Sequence, residues 1–242
     1  MIAVILAAGM ASRLRPLTDD KPKCLLEIGG KTLLQRTVDN VAENGISTIV
    51  VVTGYRGEMI RKFLTATYPS LDIRFMENKD YQTTNNIYSL WLTRPHAEGR
   101  DFMLLDSDIV FDGRIISRLL SHDDSTLAVN SHELGEEEIK IITDGCGKVA
   151  EISKTCSIEK AIGESVGIEK MTAEYSAALF GELSTMIEKE NQKDVFYERA
   201  FERLIPKGHK FGITDTTDLF SMELDTVDDF NSAEELIPPS LL

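Results

Sequence analysis

A chain of 242 residues, 42% hydrophobic and with a formal charge of −14, has the material for one full α/β core, and its acidity argues against a nucleic-acid partner. No apolar run reaches bilayer length, which argues against a membrane span. The segment Ile2–Ala8 has no basic region before it and runs straight into a glycine-containing loop, and Cys24, Cys146 and Cys156 are odd in number without metal-like spacing. A cytoplasmic chain with reduced thiols and no secretory leader is therefore expected.

The first element is an apolar strand over Met1–Leu6, with Ile2, Val4, Ile5 and Leu6 reading as buried on both faces. It leads into Leu6-Ala7-Ala8-Gly9-Met10-Ala11-Ser12-Arg13, followed by Lys21-Pro22-Lys23. Loops leaving the carboxyl ends of such strands are where open α/β sheets bind ligands. Gly9 and its small neighbours let backbone N–H groups approach oxyanions, Arg13 can grip two oxygens at once, and Lys23 acts as a point charge. Residues 1–36 hold six basic and three acidic side chains, so the acidic chain reserves a local positive field for something small. Two other phosphate motifs fail on their letters. The dinucleotide fingerprint needs three spaced glycines where only Gly9 stands, and Gly29-Gly30-Lys31-Thr32 lacks the glycine that a P-loop requires at the position of Leu25.

Further along, helices are expected over Leu33–Asn44, Gly57–Thr67 and Ile87–Ala97, alternating with strands over Thr48–Thr53, Asp72–Met76 and Phe102–Leu105. Alternation of this kind predicts a mainly parallel sheet with helices on both faces. After about Asp112 the pattern changes. Strands over Thr126–Asn130, Ile139–Thr143 and Lys148–Ile152, the last two joined by a turn at Asp144–Gly147, predict an antiparallel lobe beside the parallel sheet. Helices over Thr172–Asn191 and Val195–Leu204, strands over Lys210–Thr214 and Phe220–Leu224, and a helix capped by Asp225 or Thr226 and ending before Pro238-Pro239 complete the chain.

Two acidic strand ends stand out. Asp106-Ser107-Asp108 follows Leu104-Leu105, and Glu223-Leu224-Asp225 follows the last strand. Acids one residue apart on a strand share a face, and Mg²⁺ takes one or two such carboxylates with water and phosphate oxygens. A capped strand end is the plainer reading of Asp106-Ser107-Asp108, and the second acidic strand end weighs against it.

The N-terminal string resembles the signature of nucleotidyltransferases that make nucleoside-diphosphate sugars and alcohols, L-x-A-G-x-G-[ST]-R-L-x-P-L-T followed by P-K. It matches at Leu6, Ala8, Gly9, Ser12, Arg13, Leu14, Pro16, Leu17, Thr18, Pro22 and Lys23, and departs at Ala11, where the pattern has glycine. The resemblance implies a Rossmann-like nucleotidyltransferase fold in a single domain of 1–242, with residues 1–112 as its nucleotide-binding half and 113–242 as its acceptor half. It also implies roles. The loop Leu6–Arg13 binds the triphosphate, Arg13 and Lys23 act on the phosphates, Asp108 and Asp225 hold Mg²⁺, and Asp106 holds the strand end or the ribose.

Residues 77–90, with Asn85-Asn86-Ile87-Tyr88-Ser89-Leu90 at their core, are similar to the phosphocholine cytidylyltransferase branch of that family. Asn85 and Asn86 are candidates for base or ribose contact, or one of them caps the following helix. By the same resemblance Lys154 reaches an acceptor phosphate, Glu164 and Glu223 line the acceptor pocket, and Asp194 with Tyr197 faces an ammonium group. The plainer alternatives are a solvent-facing Glu223, and Asp194 as an N-cap with Phe196 in the core.

The expected activity is transfer of CMP from CTP to a phosphorylated small alcohol, phosphocholine or a related aminoalkyl phosphate or phosphonate, with release of pyrophosphate. A sugar-1-phosphate nucleotidyltransferase using UTP, dTTP or GTP, or a non-catalytic nucleotide sensor, stays open. The acceptor phosphate is already an anion, so no general base is required, and His96, His122, His132 and His209 are scattered away from the motifs. By the habit of the resembled family, a homodimer through the second lobe is expected.

Overall fold

The computed structural model describes residues 1–241. Strand β1 (Ile2–Ala7) is buried along its whole length. After it come a two-residue arm pair, β2 (Glu27–Ile28) and β3 (Lys31–Thr32), then α1 (Leu33–Glu43), β4 (Thr48–Thr53), α2 (Gly57–Thr67) and β5 (Asp72–Glu77). The helix expected over Ile87–Ala97 is broken at Thr93 into α3 (Asn86–Leu92) and α4 (Arg94–Ala97). Pro95, near the start of α4, has no N–H to continue the ladder. Strand β6 (Phe102–Asp106) then returns beside β1.

These four long strands are parallel and run in the order β5-β4-β1-β6. The chain winds outward from β1 in one direction and then restarts on its other side, which opens a crevice past the carboxyl ends of β1 and β6. Side chains alternate across the sheet as a period of two requires. Val4 and Leu6 join one core with Ile87 and Leu90, while Ala3 and Ile5 join the opposite core with Leu34, Val38 and Ile60. Helix α1 begins where Thr32 Oγ1 accepts from Gln35 N–H at 3.0 Å and stops before Gly45, whose φ of +81° suits glycine.

The second half contains three elements that the sequence pattern did not reveal: β7 (Ile109–Phe111), α5 (Arg114–Leu120) and, after β8 (Thr126–Asn130), β9 (Lys140–Thr143) and β10 (Val149–Ser153), the nine-residue β11 (Gly163–Met171). Strand β11 is antiparallel to β6, β8 and β9. The antiparallel part expected of this half is therefore an extension of the parallel sheet through β6. Gly163 and Gly167 and the polar Glu164, Ser165, Glu169 and Lys170 hide the alternation of β11 in the sequence. The glycines have structural reasons. A Cβ on Gly163 would lie 2.3 Å from the Asn130 carbonyl oxygen, and Gly167 has φ +75° where the β8 register shifts.

Helix α6 (Ala173–Ser184) passes into a wider turn over Thr185–Lys189, and α7 (Glu198–Leu204) starts three residues later than expected. Strand β12 (Gly212–Asp215) pairs in parallel with β8, and β13 (Ser221–Glu223) is antiparallel to β7 in a separate two-stranded ribbon. Helix α8 (Val227–Leu236) is capped by Thr226, with Asp229 completing a capping box. Among the described residues no helix is long and apolar enough to cross a membrane.

Candidate active site

The crevice past β1 and β6 is a cleft of about 610 Å³. One wall is the loop after β1. Leu14 is wholly buried and anchors it, and the Ala11 carbonyl accepts from both Leu14 N–H and Thr18 Oγ1, each at 3.0 Å. Tyr55 Oη ties the far side by donating toward the carbonyls of Thr18 at 2.9 Å and Asp19 at 2.8 Å. A Cβ built on Gly9 meets nothing within 4 Å, so the space against its backbone is open to a ligand.

Ala11, the departure from the glycine pattern, sits in the left-handed region at φ +46°. An L-residue there loses about 1–2 kcal/mol, of which glycine's extra chain entropy would return about half. Ala11→Gly is expected to stabilise the fold by about 0.5–1 kcal/mol, a rise of about 1–4 °C in melting temperature by calorimetry.

Gly54, at the end of β4, was not singled out by its letters. A Cβ there would lie 2.5 Å from the Ala8 carbonyl oxygen and 2.9 Å from Tyr81 Cβ. Gly54→Ala must push the loop outward. The expected cost is about 1–3 kcal/mol in stability, with weaker nucleotide binding, both readable by melting curves with and without nucleoside triphosphate.

Lys23 reaches the cleft floor because its neighbours Cys24, Leu25 and Leu26 are buried in a tight turn. Only 8% exposed, its Nζ donates to Asp108 Oδ2 at 3.0 Å and to Asp225 Oδ1 at 2.8 Å. Burial opposes the Lys23 charge, but Asp108 and Asp225 outweigh it and raise the pKa. The guanidinium of Arg13 pairs with the other oxygen of Asp225. Asp225 in turn is held below the usual carboxylate range by Lys23 and then Arg13, against the opposing effect of its burial.

The two acidic strand ends meet because β7, just after Asp108, pairs with β13, just before Asp225, and Leu224 N–H donates to the Asp108 carbonyl at 3.1 Å. Asp108, Glu223 and Asp225 each offer an oxygen within 4.8 Å of the others. Such an all-oxygen donor set suits a hard cation such as Mg²⁺. Glu223 faces solvent but is crowded by the cleft wall. Desolvation on that side, then Asp108 and Asp225, push it up to about 7.

Asp106 stands deeper than Asp108. Burial, then the charges of Asp108 and Glu198, raise its pKa, while a 2.9 Å hydrogen bond from Tyr197 Oη works the other way. Tyr197 is fully buried and presents no face to the cleft, which corrects its expected role. Adjacent residues entering a helix point in different directions, and the aromatic ring on the cleft wall is Phe196, 44% exposed. Asp194 is exposed and outside the cleft lining. Met10 and Ser12 belong to the loop after β1 without lining the cleft.

Asn85 and Asn86 line the cleft and also build it. Asn85 Oδ1 caps α3 by accepting from Asn86 N–H at 2.7 Å, and Asn86 Oδ1 accepts from Tyr197 N–H at 2.9 Å. Among the described residues neither amide nitrogen has a protein acceptor, leaving both as donors. Neighbouring Asn78, 2% exposed, braces this loop through Thr84 and Ser89.

On the other side of the cleft, Lys154 Nζ donates to Glu137 at 3.1 Å and lies 5.1 Å from the Phe196 ring centre. His132 is not remote from the motifs. It lines the cleft, with Nε2 2.7 Å from Glu164 Oε1 and Nδ1 2.7 Å from the Glu133 carbonyl. Pairing of β8 with β11 sets Asn130 opposite Glu164 and brings this histidine alongside. The Glu164 hydrogen bond raises the His132 pKa against partial burial, so both ring nitrogens are suited to donating.

Comparison with known proteins gives the family and the fold. Residues 3–202 match the family model described as the MobA-like NTP transferase domain. The CMP-5'-(3-aminopropyl)phosphonate synthase of Streptomyces rubellomurinus is 33% identical over 132 residues, 54% of this chain and 21% of that protein. The UTP–glucose-1-phosphate uridylyltransferase of Haloferax volcanii is 35% identical over 115 residues, 48% of this chain and 46% of that protein. The alignments thus span less than half the length of these curated relatives. The solved structure of the CTP:phosphocholine cytidylyltransferase from Streptococcus pneumoniae superimposes with a TM-score of 0.80, covering 98% of this chain and 99% of that one. At 23% identity that likeness concerns the fold.

Proposed function

Because the chain belongs to the MobA-like NTP transferase domain family, we propose that it transfers CMP from CTP to a phosphorylated small alcohol, an aminoalkyl phosphate or phosphonate or phosphocholine, releasing pyrophosphate. The observation that carries this reading is the meeting of Lys23 with Asp108 and Asp225, which are 85 and 202 residues away in the chain, at the mouth of the loop after β1. A cation held between two carboxylates beside a small-residue loop is equipped for a metal-bound triphosphate.

In this scheme the loop from Ala8 to Arg13 cradles the triphosphate, and Arg13 stabilises the departing pyrophosphate. Lys23 neutralises charge on the α-phosphate as it develops. Asp108 and Asp225 would hold Mg²⁺, which when bound supplies further charge neutralisation. Asn85 and Asn86 offer their amide donors to the base or ribose. The acceptor's own phosphate oxygen attacks in line, so catalysis is positioning and electrostatics rather than proton abstraction. His132, engaged by Glu164 and the Glu133 carbonyl, is not needed as a base.

The uridylyltransferase likeness supports a second reading, a sugar 1-phosphate acceptor with UTP, because both readings share the loop and the acids. Pyrophosphate release is the deciding measurement, with four nucleoside triphosphates crossed against phosphocholine, phosphoethanolamine, 2-aminoethylphosphonate and sugar 1-phosphates. CTP with an amino-bearing acceptor is the expected pair. Turnover confined to UTP, dTTP or GTP with sugar 1-phosphates would favour the alternative, and nucleotide binding without any turnover would mark a sensor.

A further inference from the structure

The acceptor side of the cleft carries a carboxylate with one oxygen for which the protein supplies no hydrogen-bond donor. Glu198, the first residue of α7, is 7% exposed and lines the cleft, and its Oε2 is buried without a hydrogen-bond donor. Leaving such an oxygen dry costs more than an ordinary hydrogen bond contributes. The Lys154 charge acts on Glu198 from nearby without donating to this oxygen, and the nearby donors have other acceptors. Tyr197 Oη goes to Asp106, and Lys154 Nζ goes to Glu137 while lying over the Phe196 ring. A ligand that fits here therefore brings an N–H or O–H of its own to that oxygen, and the carboxylate of Glu198 itself favours a donor that carries positive charge.

The nature of that charge is set by what the walls lack. A quaternary ammonium has no N–H and is held by several aromatic faces. Among the described residues lining the cleft the aromatic ones, besides the His132 imidazole that Glu164 holds, are Tyr81 and Phe196. Tyr81 lies on the nucleotide side, edge-on to Tyr55 with ring centres 6.3 Å apart. Phe196 already has the Lys154 ammonium over its ring at 5.1 Å. An aromatic box is absent, whereas a protonated amine brings up to three donors.

Resting on the cytidylyltransferase reading, we propose that the acceptor is an ω-amino phosphate or phosphonate with at least one free ammonium N–H, and that Glu198 selects it over a trimethylammonium by accepting that hydrogen bond. Phosphate and phosphonate share this chemistry. Lys154, freed from Glu137 by the incoming anion, serves the phosphorus end while Glu198 serves the nitrogen end.

The test is kcat/KM for pyrophosphate release from CTP across phosphoethanolamine, its N-methyl and N,N-dimethyl derivatives and phosphocholine, with 2-aminoethylphosphonate as the phosphonate arm, for the wild-type protein and Glu198→Gln. The wild type is expected to fall at least tenfold between the dimethyl and trimethyl acceptors, where the last N–H disappears, with the loss mainly in KM. In Glu198→Gln the dimethyl-to-trimethyl ratio should collapse toward one. Because the ratio is taken within one preparation, it does not depend on how much of the variant folds. A flat or reversed series in the wild type, or an unchanged ratio in the variant, overturns the assignment of the amine while leaving the cytidylyltransferase reading intact. No pyrophosphate from CTP with any acceptor overturns both.

Discussion

Replacing Lys23 by methionine or alanine is expected to lower turnover at saturating substrates by about 10²–10³-fold, the roughly 2.7–4 kcal/mol typical of one preorganised donor aimed at developing charge. The structure places the ammonium where water has little access and fixes it with two carboxylates, at 3.0 Å from Asp108 and 2.8 Å from Asp225. It therefore needs no reorganisation when the α-phosphate takes on charge. Methionine keeps most of the volume and loses the charge, so it should be as damaging as alanine if electrostatics is the cause. The variant also leaves Asp108 and Asp225 facing one another without their cation. Its melting temperature should accordingly rise more on adding Mg²⁺ than that of the wild type. Single-turnover rates for Lys23→Met within a few-fold of wild type would remove Lys23 from the chemistry.

Asp108→Asn and Asp225→Asn should each raise the Mg²⁺ concentration for half-maximal rate by at least 10–100-fold, the range seen when even outer-shell partners of a metal are lost. Each keeps the side chain's size, so a shift in the magnesium titration reports charge rather than packing. The two should differ in a second respect. Asp225 also anchors the Arg13 guanidinium, so Asp225→Asn should raise the KM for nucleotide as well, while Asp108→Asn should leave that constant less affected. The double variant should be less than additive, since both act on one cluster. Pyrophosphate release titrated with MgCl₂ at several nucleotide concentrations reads all three. An unchanged magnesium requirement in both single variants would show that these acids serve only to position Lys23.

Much of the candidate site was legible because its chemistry is written in short strings. The loop from Leu6 to Arg13, Lys23 with its buried neighbours, and the acids at two strand ends each depend on a few consecutive residues and on the rule that ligands gather at the carboxyl ends of parallel strands. The parallel half of the sheet was legible for the same reason: β1, β4 and β6 are apolar runs and α1 and α2 have capped or glycine-bounded ends. Strand β11 was not. Two glycines and two buried charged residues, Glu169 and Lys170, gave it the letters of a loop, although pairing with β6, β8 and β9 makes it a central strand.

Other misreadings share a cause. Whether Phe196 or Tyr197 faces the cleft depends on how the chain enters α7, a matter of one residue's rotation that composition does not encode. His132 looked remote because its proximity to Glu164 is created by the register of β8 against β11. Gly54 looked ordinary because the atom that forbids its side chain, the Ala8 carbonyl oxygen, lies on another strand's loop.

The amino-acid order by itself determined the alternating α/β pattern, the cationic small-residue loop and the residue types suited to phosphate and metal, since all of these follow from local spacing and side-chain chemistry. Tertiary structure alone decided that Asp108 and Asp225 share one lysine, that Tyr197 turns inward to Asp106, and that one oxygen of Glu198 is left without a donor in the cleft. Those outcomes rest on strand pairing and on the packing of distant elements, where the free energy of each contact depends on what the rest of the chain has already brought alongside.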